Sequence, residues 1–183
     1  MSAASSSHYS RGAILLHWTT AIIVITMIGL IAFGSDNETP LGNQAVNLHK
    51  VLGIAVLGLT IVRLGWRLTH RPPALPSTMA PMLRILARVT HVLFYVVLLA
   101  MPLSGWWMTS AFPKRHPIDA GLFEIPFLPV TMSMESAGTA HSVHEAGALL
   151  ITGLIVLHVA AALKHHFLNR DGVLQRMLSS SPR

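Results

Sequence analysis

The sequence contains no cysteine among its 183 residues. This absence excludes disulfide bonds, iron–sulfur clusters, thiolate zinc sites and covalent haem attachment through a C-x-x-C-H motif. Charge is also scarce, because Asp, Glu, Lys and Arg make up 11% of the residues, against roughly 25% in a soluble domain. Together with a hydrophobic content of 52%, this deficit predicts an integral membrane protein.

Four apolar windows reach the roughly 20 residues that a transmembrane helix needs. They cover residues 13–34, 47–68, 87–112 and 142–167. The first window is longer than the apolar region of a signal peptide and no A-x-A site follows it, so we expect it to remain as a span. The connector 69–81 contains four prolines, which forbid a continuous helix. The connector 113–140 is expected to form an ordered but irregular cap. We therefore predict one all-α domain over residues 1–183, a four-helix membrane bundle.

The charges divide unequally between the two ends of this bundle. One end holds most of the cations: Arg11, Arg63, Arg67, Arg71, Arg84, Arg88, Lys164, Arg170, Arg176 and Arg183. The other end holds the cations Lys50, Lys114 and Arg115, and the acids Asp36, Glu38, Asp119, Glu124, Glu135 and Glu145. The positive-inside rule then places both termini in the cytoplasm. Because the cations flank apolar segments, they do not indicate a nucleic-acid interface.

Four histidines fall into two layers along the predicted spans. His17 and His158 lie towards the cytoplasmic end and are named the inner pair. His49 and His144 lie towards the opposite end and are named the outer pair. His144 and His158 are fourteen residues apart, so they share one face of a helix about 21 Å apart. A polar side chain inside a span is costly and usually functional. Two facing imidazoles supply the two axial ligands of a haem iron, so the pattern predicts two haem sites.

Other residues near these layers have two or more interpretations. Arg63 and Arg67 lie four residues apart on one face of the second span, where they bind haem propionates or only extend to the interface. Lys50 serves the outer haem in the same way. His91 competes for iron, lines a quinone site or donates a hydrogen bond to a propionate. Gly53, Gly58, Gly147 and Gly153 allow close approach of a helix or a flat cofactor.

Hydrolytic zinc chemistry is a weaker interpretation of the same histidines. The motif H-E-x-x-H is absent, because position 148 is alanine after His144 and Glu145. His141 and His144 are spaced to share a zinc ion, but the sequence offers neither an evident third ligand nor a catalytic acid. A small transporter or metal sensor is disfavoured as well, since the interior of the spans lacks acidic residues and Glu145 lies at the outer start of the fourth.

The chain resembles the bacterial cytochrome b561 family of small di-haem membrane cytochromes. The matching segments cover nearly the whole chain: YSRGAILLHW, NLHKVLGI, IVRLGWRL, RPPALP, RVTHVLFYVVLLAMPLSG and HSVHE with LHVAAALKHHFLNRDGVLQRM. The resemblance implies an inner haem b on His17 and His158 and an outer haem b on His49 and His144. It also implies a multi-pass protein of the bacterial inner membrane that uses ubiquinone.

One activity in this family is superoxide oxidase, in which superoxide gives its electron to haem and ubiquinone is reduced. The resemblance therefore implies a superoxide:ubiquinone oxidoreductase. The connector between spans three and four matches the family weakly, so the resemblance says less about the electron donor than about the haems. The alternative is an electron-transfer cytochrome b subunit that serves a protein redox partner without superoxide chemistry.

Overall fold

The protein is described by a computed structural model, which describes residues 8–34, 39–76 and 79–179. Four long helices dominate it: α1, Arg11–Gly34; α2, Pro40–Thr69; α3, Pro81–Ala111; and α4, Met134–Lys164. The last continues into a π-helical turn at His165–Asn169, and a short helix α5 follows at Gln175–Leu178. All four long helices are long and apolar enough to cross a membrane, in agreement with the predicted four-helix membrane bundle.

The predicted windows lie on these helices, but three helices begin earlier than expected, and α3 begins at Pro81 rather than 87. Helix α2 begins at Pro40 rather than 47, because the Thr39 hydroxyl accepts a hydrogen bond from the Gly42 amide at 3.2 Å. Helix α4 begins at Met134 rather than 142, where the Ser133 hydroxyl accepts from the Ser136 amide at 3.0 Å. Ser or Thr before a helix, with Pro at its first position, is a start signal. The expected irregular cap is therefore shorter than 113–140.

A small apolar core holds the four helices together. Its buried members come from α2, α3 and α4: Val56, Val97, Leu98, Ile151 and Leu154. Side chains of α1, including Ile23, Val24 and Met27, pack against this cluster. Many other large apolar side chains on the helices are exposed. Exposed apolar flanks around a narrow core are what a bundle surrounded by lipid requires.

The segment between α3 and α4 forms an ordered cap over one end of the bundle. Its two short strands, β1 (Ile118–Asp119) and β2 (Glu124–Ile125), pair antiparallel, with Ile118 opposite Ile125. Both isoleucines are buried. The Asn47 side chain fastens this hairpin to α2, because it donates to the Asp119 carbonyl at 2.8 Å and accepts from the Asp119 amide at 3.3 Å. The cap thus sits beside the start of α2, two residues from His49.

The C-terminal segment folds back against the opposite end. Arg170 adopts a left-handed conformation (φ 51°), which ends the π-helical turn and reverses the chain. The Trp18 indole then donates to the Met177 carbonyl at 2.8 Å, and Arg176 donates to the Ala74 carbonyl at 2.8 Å. The segment therefore contacts both α1 and the 69–81 connector. Asp36, Glu38 and Arg183, which entered the charge count, lie outside the described residues.

Candidate functional site

The four predicted histidines meet as two pairs. The ring centroids of His17 on α1 and His158 on α4 are 6.2 Å apart, with an angle of 72° between the ring planes. Those of His49 on α2 and His144 on α4 are 6.3 Å apart, at 77°. Helix α4 supplies one member to each pair. The predicted pairing of the side chains is therefore present at two levels of one bundle.

Main-chain carbonyls orient both rings of the outer pair. His49 Nδ1 lies 3.0 Å from the Met27 carbonyl oxygen of α1. His144 Nδ1 lies 3.0 Å from the Met101 carbonyl oxygen and 3.1 Å from Ser104 Oγ, both on α3. A carbonyl oxygen only accepts, so each Nδ1 carries the ring proton. Each Nε2 is then unprotonated and available as a metal ligand.

Two glycines make room for the outer pair. A Cβ atom on Gly105 would lie 3.1 Å from His144 Cε1 and 3.3 Å from its Nδ1, so α3 needs glycine where the ring rests. A Cβ atom on Gly147 would overlap Met101 Sδ. Gly147 thus allows the close approach that was predicted for it. The approach is to Met101, whose carbonyl orients His144.

The other three glycines noted in the sequence, Gly53, Gly58 and Gly153, have more space around them. A Cβ on Gly53 would meet Met27 Cε at 3.5 Å, an ordinary contact. Within the described part of the chain, no atom lies within 4 Å of a Cβ placed on Gly58 or Gly153. The expectation of close helix approach is therefore wrong at these two positions, which are exposed on the bundle surface.

The inner pair belongs to a larger cluster of rings. The His158 ring lies edge-on to His91 at 5.8 Å and to Phe94 at 5.3 Å, both on α3. His17 lies 5.2 Å from Trp18. His158 is therefore the ring that His17 and His91 share as a neighbour. His91 is close enough to compete with His17 for a metal on His158, so its role as an iron ligand stays open beside its roles at a quinone site or a propionate.

A cationic and aromatic cavity of about 220 Å³ lies beside the inner pair. Arg63 and Arg67 line it and place their guanidinium carbons 5.5 Å and 5.8 Å from the centroid of the Tyr95 ring. Arg63 Nη2 also lies 3.2 Å from His17 Nδ1. Partial burial raises the pKa of the Tyr9 phenol, which lines this cavity, although Arg67, Arg176 and Arg63 act in the opposite direction. None of the residues lining the cavity is acidic, so its chemistry suits a carboxylate ligand.

The cations at the other end are fewer and are used differently. Lys50 follows His49 directly and is half-buried, whereas Lys114 is exposed. Arg115 donates to the Ser110 carbonyl at 2.9 Å, and its guanidinium carbon lies 4.1 Å from the centroid of the Phe127 ring. Arg115 thus holds the cap together, and Lys50 is the cation next to the outer pair.

These dimensions fit a haem iron between the rings of each pair. A bond from iron to an imidazole nitrogen is about 2 Å and the ring centre lies about 1 Å beyond it, so two imidazoles that held one iron between them would be about 6 Å apart, centroid to centroid. The observed separations are 6.2 and 6.3 Å. The oriented Nδ1 atoms of the outer pair leave Nε2 for iron, and the cationic cavity suits the propionates of an inner haem. When bound, haem supplies a one-electron iron couple.

The fold and these rings define a class of protein, the multi-pass membrane cytochromes with non-covalently held b-type haem. Comparison with known proteins narrows the class. Residues 8–180 match the family model of prokaryotic cytochrome b561, and the chain belongs to this family. It is therefore a membrane electron-transfer protein that binds b-type haem.

Three curated relatives cover nearly the whole chain. "Cytochrome b561 homolog 2" of Escherichia coli (strain K12) is 34% identical over 90% of this chain and 88% of its own length. "Cytochrome b561 homolog 1" of the same organism is 30% identical over 94% and 97%. The protein named "Probable superoxide oxidase CybB" from Yersinia pestis is 27% identical over 93% of this chain and 95% of its own length.

Sequence reasoning missed the groups that orient the outer pair. The Met27 and Met101 carbonyls belong to the backbone, so no side-chain pattern marks them. Ser104 and Gly105 were visible within LSG, and a Ser-Gly pair inside an apolar span is a signal for close approach. The helix register needed to aim them at His144 comes only from the fold.

Proposed function

We propose that this protein binds two haems b, one between His17 and His158 and one between His49 and His144, and moves electrons across the bilayer. The observation that carries the proposal is the presence of two imidazole pairs with the same spacing at two levels of the bundle. Arg63 and Arg67 hold the propionates of the inner haem, and Lys50 serves the outer one. A guanidinium only donates, so Arg63 would turn from His17 Nδ1 to a propionate when His17 binds iron through Nε2.

The electron donor that we propose is superoxide, and the acceptor is ubiquinone. Two superoxide anions are oxidised to two molecules of dioxygen. The two electrons, with two protons, convert ubiquinone to ubiquinol. Lys50 provides local positive charge beside the outer pair, where an anion arrives. His91, next to His158, lines the quinone site or contacts the inner haem. The name of the Yersinia pestis relative supports the superoxide chemistry.

The orientation that we propose places both termini in the cytoplasm of the bacterial cell, with the chain as one domain of the inner membrane. The charge distribution supports it, since the cavity with Arg63, Arg67 and Arg71 lies at the inner end. The absence of cysteine makes a direct test simple. A cysteine introduced at Ser179 is expected to resist a membrane-impermeant maleimide in intact cells, and one at Lys114 to react. The reverse labelling contradicts the orientation.

A second function is favoured by the cap. Leu122 and Phe123 at the hairpin turn are 97% and 66% exposed, and an exposed apolar tip on a hairpin that Asn47 fastens to α2 suits a protein redox partner. In this alternative the chain is an electron-transfer cytochrome b subunit that accepts electrons from that partner and reacts slowly with free superoxide.

One optical experiment separates the two functions. The purified, air-oxidised protein is exposed to a superoxide flux, first alone and then with ubiquinone. Superoxide oxidase activity predicts a reduced b-type band within seconds and continuous ubiquinol formation, both abolished by added superoxide dismutase. A protein that dithionite reduces and superoxide does not is the partner-dependent carrier. Absence of a Soret band contradicts both functions.

A further inference from the structure

The cavity beside the inner pair reaches from the interior of the bundle to its surface. Arg63 lines its partly buried side, whereas Arg67 and Arg71 line it and are exposed. Helix α2 ends at Thr69, so Arg71 lies beyond the helix, in the connector to α3. The proposed function gives Arg63 and Arg67 to the propionates of the inner haem. Arg71, at the exposed side of the cavity, has no part in that scheme.

A further arginine reaches the same place from the C-terminal segment. Arg176 donates through Nη1 to the Ala74 carbonyl at 2.8 Å, close after Arg71 in the connector, and the neighbouring Met177 lines the cavity. Burial raises the pKa of the Tyr9 phenol, and Arg176 is one of the arginines that act against it, so its charge is felt at a side chain that lines the cavity. A guanidinium has five N–H donors, so Arg176 keeps donors beyond the one that the Ala74 carbonyl accepts.

No acidic side chain in the described part of the chain balances this positive charge. The ion pairs found there are His141 with Glu145, at the outer end, and His165 with Asp171. Asp171 is the one acid that the described residues place at the inner end, and it is held by His165. A partly enclosed cavity lined by charges of one sign concentrates the field and attracts counter-ions. The exposed side of the cavity is therefore suited to an anion other than the propionates.

The length of α2 places this cavity at the level of lipid headgroups. The helix has 30 residues and is about 45 Å long, against about 30 Å for the hydrocarbon core of a bilayer. A charge is costly in hydrocarbon, so the excess length carries the arginines at its end into the headgroup layer. Aromatic side chains typical of that layer, Tyr9, Trp66 and Tyr95, line the cavity. The Trp66 indole is fixed there by donating to Ser10 Oγ at 3.0 Å. A basic pocket at this depth suits the phosphate of a lipid headgroup.

We propose that the exposed side of this cavity, between Arg71 and Arg176, binds a phosphate group. The group belongs to an anionic lipid or is a free phosphate ion, since both present the charged oxygens that guanidinium groups bind. From the proposed function the inference takes only that Arg63 and Arg67 serve the inner haem. A phosphate bound there joins the connector between α2 and α3 to the C-terminal segment, so it stabilises the contact that Arg176 makes with Ala74.

The test measures lipid bound to the haem-loaded protein by native mass spectrometry. The probes are phosphatidylglycerol, which is anionic, and phosphatidylethanolamine, which has a phosphate but no net charge. The parent protein is expected to retain several-fold more phosphatidylglycerol. Arg71→Gln and Arg176→Gln are each expected to lower the amount of bound phosphatidylglycerol about tenfold, because a hydrogen bond between charged groups is lost. Haem content is expected to stay unchanged in both variants.

Arg88→Gln is the matched control. It removes one exposed cation from the first turns of α3, at the same end of the bundle, and Arg88 does not line the cavity. This variant is expected to retain phosphatidylglycerol as the parent protein does. Equal losses in Arg71→Gln and Arg88→Gln overturn the inference, because net charge alone then explains the binding.

Equilibrium dialysis with radiolabelled inorganic phosphate separates the two sources. Selective retention of phosphatidylglycerol without binding of inorganic phosphate identifies a lipid site. Binding of inorganic phosphate that Arg71→Gln weakens identifies a site for the free ion, and both results together mean that the site accepts either. If the parent protein shows neither, the inference is overturned. That outcome needs no variant, so misfolding of a variant does not protect the inference.

Haem content, measured on the same samples, distinguishes this failure from a failure of the proposed function. If Arg71→Gln loses haem together with bound lipid, Arg71 serves a propionate, so the phosphate site is overturned while haem binding stands. If the parent protein contains no haem and still retains phosphatidylglycerol selectively, the proposed function is overturned and the phosphate site stands.

Discussion

The two ends of the bundle hold their histidine pairs with different groups. At the outer end, backbone carbonyls from α1 and α3 orient His49 and His144, and Asn47 fastens a hairpin to α2. At the inner end, side chains surround the rings: an arginine on His17, with His91 and Phe94 against His158. The outer end is thus set by the fold itself and tolerates few changes of shape. The inner end is set by charged and aromatic side chains and is tunable by substitution.

The largest expected effect comes from the centre of the inner cluster. His158→Ala removes the ring shared by His17 and His91, so the inner haem is expected to be lost and the b-type absorbance to fall to about half. The pyridine haemochrome assay measures haem per protein. His91→Ala is the matched variant and is expected to retain both haems. If His91→Ala loses a haem and His17→Ala does not, the inner ligand is His91.

A smaller effect on haem binding is expected from a substitution that crowds His144 at the outer end. Gly105→Ala places a methyl group 3.1 Å from His144 Cε1, and a crowded substitution of this kind costs about 1–3 kcal/mol. We expect weaker retention of the outer haem and a shifted spectrum for it, with the inner haem unchanged. Haem content after dilution in detergent measures the retention.

Gly58→Ala is the control for this substitution. A Cβ at Gly58 meets no atom within 4 Å in the described residues, and alanine favours a helix more than glycine does. Haem retention and thermal stability are therefore expected to be equal to or above those of the parent protein. An equal loss of haem in both variants would show that the contact with His144 is irrelevant.

Much of this fold was predictable from the sequence because lipid imposes simple rules. Runs of about 20 apolar residues predicted four helices, and the spacing of His144 and His158 placed both on one face of α4. The early starts at Pro40 and Met134 lie in polar segments, where Thr39 and Ser133 hydroxyls decide the boundary. The contacts behind the histidines depend on helix register and backbone atoms. Hydropathy carries no information about either.

A moderate effect of pH on the stability of the C-terminal segment is expected, and it is confined to the inner end. Burial raises the pKa of the Asp171 carboxyl, but hydrogen bonds from His165, the Val173 amide and Asn169 outweigh it, so the pKa lies below its ordinary value of 3.8. A lowered pKa means that the carboxylate stabilises the C-terminal segment above pH 3.8, and that this stability is lost as pH falls through the folded pKa.

Hydrogen exchange at the Val173 amide measures this effect. Asp171→Ala removes hydrogen bonds to a charged group, worth about 1.5 kcal/mol or more, so exchange there is expected to rise about tenfold at neutral pH. The Asp119 amide, which donates to the neutral side chain of Asn47, is the internal reference at the outer end and is expected to remain unchanged. Equal acceleration at both amides would mean that the whole bundle loosens.

The smallest effect concerns the arrival of superoxide at the outer end. Lys50 follows His49, whereas Lys114 is exposed on the cap. One unit charge at about 10 Å in water changes the energy of an anion by about 0.4 kcal/mol, or about twofold in rate. Lys50→Gln is therefore expected to slow haem reduction by superoxide about twofold, and Lys114→Gln to slow it less. Stopped-flow absorbance measures both rates, and high salt should remove the difference because it screens exposed charges. A difference that persists at high salt indicates that Lys50 acts on the outer haem itself, as a propionate contact does, rather than on the approach of the anion.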